Sequence, residues 1–147
     1  MSDPDNLVRL HIYEQWVADG RPPSAAETAA ALGLAKVDAE EAFRRLEDAH
    51  VIVLAPGTTN VWMAHPLSLV PTPFAVRSER GSFYGNCIWD GLGAVAMLGR
   101  NGRVETSCPD CGEPLVFTVR DGELEPVDAV VHYAVPASRW WENIGFS

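Results

Sequence analysis

Three prolines fall within eight residues of this chain, at Pro66, Pro71 and Pro73. Proline fixes φ and lacks an N–H, so no regular helix can run through residues 65–74. The stretch divides the sequence into two parts of different periodicity. We expect an N-terminal domain over 1–64, a connector over 65–76 and a second domain over 77–147.

Before the prolines the spacing is helical. Leu7, Leu10, Tyr13, Trp16 and Val17 predict a helix over 7–18, ended by Asp19-Gly20-Arg21-Pro22-Pro23. Ser24-Ala25-Ala26-Glu27 is a capping-box pattern, and Gly33 is a natural left-handed stop. A third helix is expected over about 37–50, with Ala42, Phe43, Leu46 and Ala49 inward. Residues 51–54 and 61–64 flank Pro56-Gly57-Thr58-Thr59-Asn60 and read as a hairpin. Three helices and a hairpin make a winged-helix-like arrangement. Such a unit would place its third helix in a DNA groove. Here that helix sets Asp38, Glu40, Glu41, Glu47 and Asp48 against Arg44 and Arg45, a balance that repels phosphate and favours a structural or interface role.

After the prolines short strands dominate. We expect them at 75–77, 103–107, 114–120 and 129–135, with one main helix over about 91–98 and a short helical start at 136. Asp121-Gly122 is a hairpin-type turn signal. The expected class is therefore α+β: a winged-helix-like three-helix and hairpin part, then a small mixed β-sheet with one main helix.

Bulk properties narrow the partners. The 147 residues carry 11 basic and 20 acidic side chains, a net charge of −9. That disfavours nucleic acid and anionic membrane surfaces. No run approaches the roughly 18 apolar residues of a membrane span. The N-terminus, Met1-Ser2-Asp3-Pro4-Asp5-Asn6, is acidic and has no apolar signal region. Three cysteines, an odd number, then suggest free thiols in a reducing cytoplasmic setting. An apolar share of 47% with five Trp is enough to bury a core.

The chemistry concentrates in Tyr84-Gly85-Asn86-Cys87-Ile88-Trp89-Asp90-Gly91-Leu92-Gly93. A thiol three residues before a carboxylate pairs a soft nucleophile with a proton donor on one face of a helical turn. A thiolate at a helix N-terminus is favoured by the free N–H groups there, so a pKa below that of a free thiol is expected. The alternative is a buried Cys beside a capping Asp. A second feature is Cys108-Pro109-Asp110-Cys111-Gly112, half of a zinc-ribbon site. A closed structural zinc needs four ligands, and only Cys87, His11, His50, His65 and His132 remain as N or S donors. Structural zinc at Cys108 and Cys111, an exposed turn with two thiols, and a metal-relay role all stay open. The four histidines read as structural. Trp89, Trp140 and Trp141 could pack in the core or wall an apolar pocket.

Several segments together resemble the alkylmercury lyase family, over roughly residues 7–147. Met63-Ala64-His65-Pro66 leading into Val70-Pro71-Thr72-Pro73-Phe74 is similar to the family's linker. Asn86-Cys87-Ile88-Trp89-Asp90-Gly91-Leu92-Gly93 resembles its catalytic Cys-x-x-Asp block, and Ser107-Cys108-Pro109-Asp110-Cys111-Gly112-Glu113-Pro114 and 136–146 follow in the family's order. The resemblance implies protonolytic cleavage of a carbon–mercury bond. Cys87 would be a metal-binding thiolate and Asp90 the proton donor, with mercury as the substrate metal, no required cofactor, and small thiols accepting Hg²⁺. The family's second Cys lies in an Ile-x-Phe-Thr-Cys-like segment. Here the corresponding run is Ile144-Gly145-Phe146-Ser147. Cys108 or Cys111 would have to stand in unless the natural chain runs on. The alternatives are a non-enzymatic metal- or thiol-binding module using Cys87, Cys108 and Cys111, and an acidic protein-interaction domain.

Overall fold

The structure is a computed structural model, and it describes residues 3–145. Met1, Ser2, Phe146 and Ser147 lie outside the described residues, so the end of the family-like Ile144–Ser147 run is not among them. Helices α1 (Asp3–Asp19), α2 (Ala25–Leu32) and α3 (Lys36–Asp48) come first. Then follow β1 (Ile52–Leu54), β2 (Val61–Ala64), β3 (Leu67–Ser68), β4 (Phe74–Ser78) and β5 (Gly81–Gly85). Helix α4 (Ile88–Leu98) precedes β6 (Gly102–Ser107), β7 (Pro114–Arg120), β8 (Glu123–Leu124) and a 3₁₀ turn, Ala137–Glu142.

Local chemistry sets the helix ends. The Ser24 hydroxyl accepts the Glu27 N–H at 3.2 Å while the Glu27 carboxylate accepts the Ser24 N–H at 2.7 Å, which closes the capping box. Gly33 ends α2 in the left-handed conformation, φ 67°. The face that α1 buries is the expected one only in its second half, where Trp16 is buried and Tyr13 and Val17 pack against the core. Val8, Ile12 and Trp16, spaced four apart, are buried, whereas Leu7 and Leu10 are 61% and 54% exposed. The same side of the helix carries Asp5, which is buried. There the carboxylate accepts from Arg45 of α3, with Nη2 at 2.8 Å and Nε at 3.1 Å. Ala39, Ala42, Phe43 and Leu46 form the inner face of α3, and the helix stops at Asp48 before Ala49.

The strands form one eight-stranded sheet in the order β1-β2-β3-β5-β4-β6-β7-β8. The α+β class holds, but every pairing is antiparallel where a mixed sheet was expected. The reason lies in the one long crossover. β5 and β6 run the same way and are joined by α4, but β4 inserts between them and pairs antiparallel with both. The proline-rich stretch does more than connect. Its β3 pairs with β2 on one side and β5 on the other, so the sheet continues through it. Residues 129–135, expected as a strand, form no ladder. They follow β8 in the chain without regular structure, with Val130 97% exposed. Asp121 and Gly122, both at positive φ, make the expected tight turn between β7 and β8.

Helix α4 lies on the sheet at very short range. A Cβ added to Gly85 would sit 2.5 Å from the Gly91 nitrogen, and one added to Gly91 would sit 2.9 Å from Val104 Cγ1. Gly85→Ala and Gly91→Ala are each expected to destabilise the fold by about 1–3 kcal/mol, the cost of overpacking a filled site. Gly93→Ala is the control. Its methyl would meet Pro66 at an ordinary 3.6 Å, so it should be neutral or stabilise by about 0.5–1 kcal/mol. Thermal and urea unfolding midpoints measure all three, and equal effects would remove the close-approach account.

Candidate active site

Cys87 and Asp90 share the first turn of α4. Cys87 is the N-cap residue, in extended conformation at φ −143°, and its carbonyl accepts the Gly91 N–H at 2.9 Å. Its side chain makes no capping bond, which leaves the sulfur free to face the cavity beside the helix. Cys87, Asp90, His65, Trp89, Tyr133 and Trp141 are among the residues lining a lobe of about 210 Å³. A second lobe of about 290 Å³ continues past Cys87 towards Met63, Phe74, Ile88 and Val135. Each lobe is smaller than pockets that bury drug-sized ligands, roughly 300–1,000 Å³. The walls are mainly apolar and aromatic, with polar groups converging at one end.

Those polar groups form a chain. The Asn86 amide Nδ2 lies 3.1 Å from His65 Nδ1, within hydrogen-bond distance. Asp90 Oδ2 lies 3.7 Å from the same Nδ1, an ion-pair separation for a protonated ring rather than a hydrogen bond. The Tyr133 hydroxyl sits 3.9 Å from Cys87 Sγ. Burial pushes the Tyr133 hydroxyl far above its ordinary pKa, and the neighbouring Cys87 adds to this. The hydroxyl therefore keeps its proton and can donate to sulfur.

Burial also pushes the Cys87 thiol up, and the charge of Asp90 works in the same direction. Backbone N–H groups of Asp90 and Trp89 and the Tyr133 hydroxyl pull it down, but burial outweighs them. The expected depression at a helix N-terminus is thus reversed. Cys108 behaves oppositely. Backbone hydrogen bonds from Cys111 and Asp110 hold its thiol below the ordinary range.

Cys108 and Cys111 lie on the turn between β6 and β7, and neither lines the Cys87 cavity. All three thiols are free, and no group of three His, Cys, Asp or Glu converges on a metal-sized site among the described residues. Trp140 and Trp141 belong to the cavity wall rather than the core, while Trp89 lines it and is 61% exposed. The sequence reading missed His65, Asn86 and Tyr133. Tyr133 arrives on the extended 125–136 segment, which Trp140 Nε1 pins by donating to the Val135 carbonyl at 2.8 Å. The Tyr133 and Trp140 rings are 5.0 Å apart. His65 carried one signal, its place directly before Pro66 in the connector.

In a Cys108→Ser/Cys111→Ser background, modification of Cys87 by a small thiol reagent should accelerate through an inflection above the free-thiol value, roughly 8.5. Tyr133→Phe removes a donor to the thiolate and should move that inflection higher still. An inflection below the free-thiol value would mean the helix terminus outweighs burial.

A profile of the alkylmercury lyase family, MerB, matches residues 67–146, more than half of the chain. Alkylmercury lyases of Bacillus cereus and Clostridium butyricum are each 33% identical over 73 residues. Those residues are 48% of this chain and 34% of each relative, so the match spans about a third of their length. A solved structure described as the mercury-bound form of MerB2 superposes with a TM-score of 0.67 at 19% identity, over 86% of this chain and 60% of that one. That likeness establishes a shared fold. Together with the family profile across β3, β4, β5, α4 and the strands that follow, it leads to one assignment: the chain belongs to the alkylmercury lyase family.

Proposed function

We propose that the Cys87 cavity cleaves carbon–mercury bonds by protonolysis, with Cys87 as the metal thiolate and Asp90 as the proton donor. The observation that carries this reading is that thiol and carboxylate stand on one helical turn and line one small, apolar-walled cavity. Family membership supports the same chemistry, since the named relatives are alkylmercury lyases.

The steps follow from the site. R–Hg⁺ reaches the thiol, and the soft metal displaces its proton, forming a sulfur–mercury bond. Asp90 is the nearest base on the same turn and takes that proton. A second thiolate adding to mercury weakens the Hg–C bond and places carbanion character on carbon. Asp90 then returns the proton to carbon as the Hg–C electron pair leaves mercury for the new C–H bond. A hydrocarbon departs, Asp90 is again a carboxylate, and Hg²⁺ stays on sulfur until small thiols remove it. The Tyr133 hydroxyl steadies the thiolate, and Trp89, Trp140 and Trp141 enclose the organic group. In this reading the N-terminal helices serve as a winged-helix-like scaffold, and a reducing cytoplasm keeps the thiols available.

Phenylmercury with excess small thiol tests the proposal. We expect binding at Cys87 and slow release of benzene, measured by gas chromatography, with the added thiol supplying the second sulfur. Asp90→Asn should lower release by about 100-fold or more while leaving mercury binding nearly intact, because general acids contribute roughly 10²–10⁴-fold. Cys87→Ser should remove both. Release that survives Asp90→Asn would overturn the donor role. Tight binding without any hydrocarbon would favour a binding module instead.

A further inference from the structure

The turn between β6 and β7 is built differently from the catalytic cavity. The Cys108 N–H donates to the Glu113 carbonyl at 2.8 Å, and the Gly112 N–H donates to the Cys108 carbonyl at 2.9 Å. Both backbone groups of Cys108 are therefore used to close the loop. Pro109 restricts φ at the second position, and Gly112 turns the chain at φ 74°. The two backbone bonds close Cys108-Pro109-Asp110-Cys111 into one tight turn, with the cysteines three residues apart on it. Both cysteines are thus held on one closed turn before any ligand arrives. Cys111 is exposed and Cys108 half-exposed, so an ion can reach them from solvent.

We propose that Cys108 and Cys111 form a second, independent site for a soft d¹⁰ cation held by two thiolates in one chain. Ion class follows from the donor set. Two sulfurs with no third His, Cys, Asp or Glu converging on them among the described residues suit a thiophilic ion that accepts two-coordinate binding, such as Hg²⁺. They do not satisfy zinc, which takes four ligands in a closed structural site. The flanking Asp110 and Glu113 and the chain's net charge of −9 attract cations to the turn. Binding involves no redox change. Each thiol releases one proton to solvent, and two sulfur–metal bonds form. This site does not depend on the lyase reading, since neither Cys108 nor Cys111 lines the Cys87 cavity.

The test uses the reduced full chain carrying Cys87→Ser, which leaves the pair as the chain's remaining thiols. Hg²⁺ is titrated in excess monothiol and followed by ultraviolet sulfur-to-mercury charge-transfer absorption, with chain mass by light scattering. We expect one Hg²⁺ retained per monomeric chain. Adding Cys108→Ser or Cys111→Ser should weaken retention by about 100-fold or more, the low end of what tethering a second ligand gives. Circular dichroism unchanged by either substitution shows that the loss is local. Three results would overturn the proposal. They are no retention in Cys87→Ser, retention indifferent to both substitutions, and one ion shared between two chains. Near-stoichiometric zinc in protein purified without added metal would also reject the two-coordinate assignment.

Discussion

The site depends on a contact in which no side chain takes part. Gly85, the last residue of β5, meets Gly91 of α4 backbone to backbone, with no room for a Cβ between them. The strand end is itself held from two sides. Gly85 lies opposite Leu67 and Phe74, and its carbonyl accepts the Thr72 hydroxyl at 2.5 Å. Helix α4 therefore starts directly off the sheet, and only Asn86 and Cys87 separate strand from helix. With Gly91 also pressed against Val104, the helix can neither slide nor lift without breaking the core. That immobility is what a positioned thiol and acid need, because misplacement by about 1 Å can cost 10²-fold in rate.

Burial and the helix terminus compete at Cys87, and burial wins. A thiol held protonated reacts slowly with reagents that need a preformed thiolate. In the proposed mechanism a soft metal ion still enters, because the sulfur–metal bond offsets the loss of the proton and Asp90 accepts it. Cys108 has the reverse character, with its thiol pulled down by backbone donors and open to water. One chain thus carries a sheltered sulfur at Cys87 and a more open one at Cys108.

What could be read from the sequence was local. The Ser24–Glu27 box, the Gly33 stop, the Asp121-Gly122 turn and the Cys87–Asp90 spacing each concern residues within a few positions, where backbone geometry dictates the outcome. What could not be read was set by distant partners. Tyr133 reaches Cys87 across 46 residues, and His65 meets Asn86 across 21. The run 129–135 reads as a strand, but it pairs with no other strand. Residues 131–135 line the cavity instead. The face of α1 was ambiguous because Leu7, Val8, Leu10 and Ile12 offer apolar groups on more than one side. The Asp5–Arg45 pair, 40 residues apart, accompanies the choice.

The acidic third helix finds its explanation in the same long-range contacts. The Glu47 carboxylate accepts the Leu54 N–H at 3.0 Å, which ties α3 to β1 rather than to any phosphate. Just beyond α3, His50 stacks on Trp141 at 3.9 Å with the rings 8° from parallel. Trp141 in turn meets His65 edge-on at 5.6 Å. From α1, the Tyr13 hydroxyl donates to the His65 carbonyl at 2.7 Å. The N-terminal helices therefore hold the aromatic wall and the histidine that stand beside Asp90. Their negative surface costs nothing in that role, because the groups that matter face inward. Removing them would take away the Tyr13 contact to His65 and the His50 stack on Trp141, even though Cys87 and Asp90 belong to the other half of the sequence.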